Sequence, residues 1–209
     1  MSEVNEAPKR KRLSYEDRRL EFVQKAIEFF AEEGFDSSTR ELARRLGVTQ
    51  PLLYRYFPSK DDLIAEVYET VYVRRWNADW DAMIADRTVP LRERLIAFYK
   101  VYADVVFQRD WMRIFLFAGL KGGKINRRYI DRVRSRILEP IICEWRREQG
   151  LDIDAPTDQE VELAWSVHGG IYYFGVRTEI YGQKPLAGLH FVIETSVDSL
   201  LVGLERLQR

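Results

Sequence analysis

From Tyr15 onward the alternation of apolar and polar positions has the period of a helix. Leu20, Val23, Ile27, Phe30 and Ala31 recur at intervals of three and four and fall on one face. Gly34 ends this helix as a residue free to take positive φ, and Phe35 turns back towards the core. A short second helix follows, with Thr39 as its cap, an apolar side of Leu42, Ala43 and Leu46, and Gly47 as its stop. Thr49 caps a third, with Pro51 in the first turn where a missing N–H does no harm, and Phe57-Pro58 closes it. Ser59 caps a fourth, with Asp61 and Asp62 in its electropositive first turn. The remaining pattern predicts helices over roughly 58–86, 89–108, 110–118, 126–149, 157–181 and 187–207. Pro140 predicts a kink in the 126–149 segment. No stretch alternates like a strand and no repeat is visible. The reading is an all-α chain, with a three-helix helix-turn-helix unit over 15–62 and a helical body over 63–209.

The segment Thr39–Lys60, TRELARRLGVTQPLLYRYFPSK, holds the helix-turn-helix. Val48, Leu53 and Phe57 suit its small core. With Leu53 at the buried centre, Pro51 and Arg55 point away, Leu52 and Tyr54 lie on the shoulders, Gln50 sits in the first turn and Tyr56 on the flank. That outward set suits a major groove. The Arg55 fork matches guanine O6 and N7, the Gln50 amide matches adenine N6 and N7, and Pro51 and Leu52 offer apolar surface to a thymine methyl. Tyr54 and Tyr56 hydroxyls suit phosphates, and Thr39 and Lys60 stand at helix N-termini, which favour anions. Arg40, Arg44 and Arg45 add charge nearby. The tyrosines fit equally as core aromatics.

Charge does not decide between these readings. The 209 residues carry 33 Lys and Arg against 33 Asp and Glu, so no global field points at nucleic acid. Local excesses exist. Lys9-Arg10-Lys11-Arg12 lies in a polar stretch, 1–14, which fits either a solvated arm or one reaching DNA. Lys121, Lys124, Arg127, Arg128, Arg132, Arg134 and Arg136 face one acid, Asp131; a solvated helix face, an anion-attracting patch and a surface near DNA all fit.

Cys143 has no partner for an intrachain disulfide, which suits a reducing compartment. The uncharged run Leu163–Val176 is too short to span a bilayer and residues 1–19 lack the apolar core of a leader, so a soluble cytoplasmic chain without a membrane partner is expected. There is no G-x-S-x-G elbow, no P-loop and no G-x-G-x-x-G, and His168, His190 and Cys143 are too few for a convincing metal site. No enzyme and no cofactor are therefore expected.

Ala26–Val67 closely resembles the DNA-binding signature of the tetracycline-repressor (TetR) family of transcriptional regulators. The resemblance lies in Ala26-Ile27, Phe30, Gly34-Phe35, Ser38-Thr39, Leu42-Ala43, Leu46-Gly47-Val48-Thr49, Leu53-Tyr54, Tyr56-Phe57, Ser59-Lys60 and Leu63. It implies a repressor that releases palindromic operator DNA when a small effector binds. By position it implies that Thr39 and Lys60 clamp phosphates, that Tyr54 and Tyr56 touch the backbone, and that Gln50, Pro51 and Arg55 approach bases. Thr49 and Arg40 complete the expected DNA-binding set. Leu52 stands where many members carry a small or polar residue.

The resemblance further implies that the body binds ligand and forms a homodimer. All five tryptophans lie there. Trp76, Trp80, Phe98, Tyr102, Trp111, Phe115, Tyr129, Trp145, Trp165, His168 and Tyr172 are the candidate lining of a pocket for a largely apolar or aromatic effector, although each also fits an ordinary core. For the dimer, Val192, Ile193, Val197, Leu200, Leu201 and Leu204 give an apolar face, with Ser196, Ser199 and Gly203 allowing close approach and Ala164, Val167 and Ile171 on the preceding helix. The alternatives are a ligand-binding adaptor without DNA binding, and intrachain packing of the last two helices.

Overall fold

A computed structural model describes residues 14–120, 122, 124–153 and 156–209. The basic run Lys9–Arg12 and Lys121 lie outside the described residues. Among those described there is no strand. The helices are α1 Tyr15–Glu33, α2 Thr39–Arg45, α3 Gln50–Tyr56, α4 Lys60–Tyr68, α5 Asp79–Ala85, α6 Leu91–Val106, α7 Arg109–Leu120, α8 Lys124–Val133, α9 Glu139–Glu148, α10 Asp158–Gly175 and α11 Leu189–Leu207.

The helix starts follow local chemistry. Thr49 Oγ1 caps α3 and Ser59 Oγ accepts from Asp62 N at the start of α4 over 3.1 Å. α2 corrects the expectation by one residue, because Ser38, not Thr39, is its cap and accepts from Glu41 N. Gly34, at φ 74°, closes α1. Leu20 is half-exposed, because the buried stripe of α1 is centred on Phe22, Val23, Ala26, Ile27, Phe29 and Phe30 and Leu20 lies at its edge.

Three long helices are irregular. The segment expected at 58–86 is interrupted: α4 widens into a π-helical turn at Glu69–Val73, the chain turns at 74–78, and the Asn77 side chain accepts from Asp79 N as α5 begins. The 126–149 segment keeps its course, but the turn before Pro140 is π-helical over Arg134–Leu138. Pro140 has no N–H to give the preceding turn, so the strain expected as a kink is taken up there. A third π-helical turn, Val176–Ile180, ends α10.

The last two helices correct the dimer reading in part. Ile193, Val197, Leu200, Leu204, Ala164 and Ile171 are all buried within the chain, where α11 packs on α10 and α6. Gly203 serves the same packing, since a Cβ there would stand 2.8 Å from Leu163 Cδ2. A different face stays open, formed by Ser166, Gly170 and Tyr173 of α10 with Phe191, Thr195, Ser199 and Val202 of α11.

Two buried ionic networks hold the body together. Arg94, 3% exposed, donates to the Ile84 carbonyl, to Glu144 Oε2 at 3.1 Å and to Glu148 Oε1 at 3.1 Å. Arg87 grips the same Glu144 through two bonds, and its guanidinium is the chief reason that the Glu144 carboxyl lies below the usual carboxylate range. Glu160, fully buried, forms a capping box with Thr157 and receives Arg146 and Gln208.

Candidate functional site

The surface at α2–α3 is assembled by hydrogen bonds between its own polar residues. The Thr39 and Tyr54 hydroxyls lie 2.9 Å apart, and Gln50 Nε2 donates to Thr39 Oγ1 over 2.8 Å. Lys60 Nζ donates to the Ser37 carbonyl over 2.7 Å, which fixes the start of α4 against the turn before α2. Leu53 is buried beneath this surface, while Thr49, Pro51, Tyr54 and Arg55 are exposed and Gln50 and Leu52 half-buried. Thr39 is itself buried. Tyr56 is half-buried, its ring stacked on Tyr15 at 4.5 Å and edge-on to Phe22, so much of it serves to seat α3 on α1.

The cations divide into two sets. Arg44 is held by Glu41, and Arg45 by Glu32 and Glu33, so the charge both were expected to add nearby is compensated. Arg40 and Arg55 are exposed and, among the described residues, form no ion pair, and the Lys60 charge meets only a carbonyl. Within the helix-turn-helix, the cations without an acidic partner among the described residues, Arg40, Arg55 and Lys60, lie along the α2–α3–α4 edge. Glu41 three residues before Arg44 was a readable sign of its pairing.

In the body, rings from four helices line a half-open cavity of about 160 Å³, to which the exposed Ile130 and Gly169 also contribute. Tyr102 comes from α6, Trp111 and Phe115 from α7, Tyr129, Ile130 and Val133 from α8, and Trp165, His168, Gly169 and Tyr172 from α10. Trp111 and Phe115 stack at 5.1 Å, and Tyr129 meets both edge-on. Trp76, Trp80 and Phe98 do not line it. They back its wall, with Trp80 5.0 Å from Tyr102 and Trp76 5.9 Å from Tyr129. Trp145 lies apart, buried on the Ile141–Ile142 side of α9 and in no ring contact with the cluster. Ile130, Val133 and Gly169 were missed. The apolar spacing Tyr129–Val133 within the basic stretch was the signal that could have found two of them.

A polar thread runs along one wall. Tyr102 Oη lies 3.1 Å from Tyr129 Oη and 3.2 Å from His168 Nε2. Burial pushes the His168 imidazole down to about 4 and the phenols of Tyr102, Tyr129 and Tyr172 upward, so all are neutral near pH 7. His168 Nδ1 and Tyr172 Oη are buried without a partner. Four of the cations around α8 have partners. Arg128 lies over Tyr68, Arg132 lies 4.2 Å over Trp76, and Arg134 and Arg136 pair with Glu139 and Asp81. Among the described residues no group of His, Cys, Asp or Glu is arranged to hold a metal ion, and no helix is long and apolar enough to cross a membrane.

The two regions meet at α7. Arg113 donates to the Ala31 and Glu32 carbonyls at the end of α1, the latter over 3.1 Å, and Phe117 packs on Gly34, where a Cβ would stand 3.2 Å from its ring. Trp111 and Phe115 on the same helix face the cavity. A helix-turn-helix at one end is thereby seated on a body that holds a half-open aromatic cavity.

Residues 22–67 match the family model "Bacterial regulatory proteins, tetR family". Among solved structures, the chain is similar to a TetR-family transcriptional regulator from Streptomyces coelicolor, with 20% identity and a TM-score of 0.66, over 93% of this chain and 83% of that one. It is similar also to a TetR-like regulator from a Rhodococcus species, with 20% identity and a TM-score of 0.63 over 92% and 100% of the two chains. AmtR from Mycobacterium smegmatis shares 19% identity and a TM-score of 0.63 over 97% and 98%. The chain thus carries the TetR-family DNA-binding domain at its N-terminus, on a body with the fold of TetR-family transcriptional regulators.

Proposed function

We propose that this protein is a transcriptional regulator that binds a palindromic operator as a homodimer and releases it when a small molecule fills the aromatic cavity. The observation that carries the reading is the exposed α3 surface, where Arg55 stands without a counter-ion beside the Thr39–Gln50–Tyr54 network. Two such helices, one from each subunit, reach successive major grooves about 34–36 Å apart. Arg55, Gln50, Pro51 and Leu52 address bases; Thr39, Arg40, Thr49, Tyr54, Tyr56 and Lys60 address phosphates or set the helix in place.

The open face of α10 and α11 is the surface we assign to the homodimer. Gly170 sits mid-helix on this face, and a Cβ there would meet nothing within 4 Å. An exposed mid-helix glycine costs about 1 kcal/mol relative to alanine, and close approach of a second copy accounts for it. The double variant Phe191→Asp/Val202→Asp is expected to run as a monomer by light scattering; an unchanged dimer would place the interface elsewhere.

Coupling follows from α7. A ligand that moves Trp111 and Phe115 moves the Arg113 and Phe117 that hold the end of α1. The effector must bind the two arrangements unequally for DNA affinity to change. The experiment that tests the whole reading is selection of sheared genomic DNA on the purified protein, beside a Gln50→Ala/Arg55→Ala variant. Enrichment of a short palindrome by the wild type alone supports it. Equal enrichment by both proteins, or none by folded dimer, would sink it.

A further inference from the structure

The cavity's size, its lack of charge and its two unpartnered polar atoms narrow what it takes; this step rests on reading it as the effector site. We propose that it takes a neutral, single-ring aromatic molecule carrying a hydroxyl group, a phenol.

Size sets the first limit. A dry cavity of about 150 Å³ holds one benzene. The 160 Å³ here accommodates one ring with a small substituent. The walls favour a planar occupant, because Trp111, Phe115, Tyr129 and Tyr172 offer ring faces and edges at mutual separations of 5.1–6.2 Å.

Charge sets the second. None of the ten lining residues is Lys, Arg, Asp or Glu, and His168 is neutral. Arg128 and Arg132 of α8 lie over Tyr68 and Trp76, which do not line the cavity. A carboxylate entering this space would lose its water and find no cation among the lining residues. The larger clefts elsewhere are different in kind. The one between α5 and α9 is open, and its Arg87, Arg136 and Arg147 are already paired with acids.

The polar atoms set the third. His168 and Tyr172 lie one turn apart on α10 and both line the cavity. His168 Nε2 is engaged with Tyr102, which leaves Nδ1 and Tyr172 Oη unsatisfied. Buried polar atoms in native proteins nearly always have partners. A neutral imidazole nitrogen is a donor in one tautomer and an acceptor in the other, and a tyrosine hydroxyl is both. A single ligand hydroxyl, itself donor and acceptor, answers either arrangement, whereas a hydrocarbon ring answers neither.

The test is a titration of the full-length protein without DNA, at pH 7.5, read by calorimetry and by the fluorescence of the tryptophans. The probes are phenol, toluene and benzoate, on wild type and Tyr172→Phe. Phenol is expected to saturate the protein, with toluene up to about tenfold weaker and benzoate not binding. Tyr172→Phe is expected to bring phenol down to the level of toluene while leaving toluene unchanged, which also shows the cavity intact. Benzoate binding as tightly as phenol, toluene matching phenol on wild type, or no binding of phenol would each overturn the proposal. Operator release is measured separately with the genomic fragment selected above. Phenol that binds without releasing DNA would leave the cavity chemistry standing and refute its role as effector site.

Discussion

Tyr72 donates its hydroxyl to the main-chain carbonyl of Trp111 over 3.0 Å, inside the core. Its ring also meets the Trp111 indole edge-on at 5.0 Å. The helix that leaves the DNA-binding domain is thereby fastened to the helix that walls the cavity. Tyr72→Phe keeps the ring and loses the bond, and is expected to cost about 1 kcal/mol, or roughly 2–4 °C in melting temperature. Calorimetry of the variant checks this; an unchanged melting temperature would mean that ring packing alone makes the joint.

Arg55 and Lys60 are both cationic but predict different losses. Arg55→Ala is expected to cost about 1–3 kcal/mol in operator affinity, concentrated at one base pair. Lys60→Ala is expected to weaken all sequences alike and to lower the salt dependence by about one ion. Affinities across a panel of single-base operator variants, at two salt concentrations, separate the two. A uniform loss from Arg55→Ala would remove it from the base-reading set.

Arg94 is buried with Glu144 as its chief counter-charge. Glu144→Ala removes that counter-charge and leaves the guanidinium, whose Nε already lacks a partner, with only Glu148 and the Ile84 carbonyl. The expected destabilisation is about 3–5 kcal/mol, read by denaturant unfolding. The double variant Glu144→Leu/Arg94→Met, which removes both charges, should recover most of it.

His168 gives stability a dependence on pH. Its folded value is lowered from 6.5 to about 4, so the unfolded chain takes up a proton that the folded chain refuses. Stability is fully present above about 6.5 and is lost as pH falls through about 4, by on the order of 3 kcal/mol in all. The depressed carboxyls of Glu144 and Glu160 lose their contributions in the same direction at lower pH. Unfolding free energies of wild type and His168→Gln between pH 7 and 4.5 check the sign. An equal slope in both proteins would assign it to other groups.

Much of the fold was legible because its signals are local. Thr49, Ser59, Pro51 and Gly34 act within one turn of themselves, and the helix-turn-helix was readable from them. What failed depended on neighbours distant in sequence. Arg45 looks free until Glu32 and Glu33 are brought beside it from α1. The face Ile193–Leu204 reads as an interface until α10 covers it. Trp145 resembles the other tryptophans in composition and differs only in which side of the bundle its helix turns inward. Seven of the eleven candidate aromatic and histidine positions line one cavity, because Trp165, His168 and Tyr172 share a helical face and Trp111 and Phe115 share another.

The last turn of α1 holds no basic residue, and the groups that answer its terminal carbonyls come from Arg113, some eighty positions further on. The DNA-binding end therefore borrows the finish of its own first helix. Excised from the body, it would fray there and melt early. The cohesion of the helix-turn-helix end thus leans on a residue that belongs to the body.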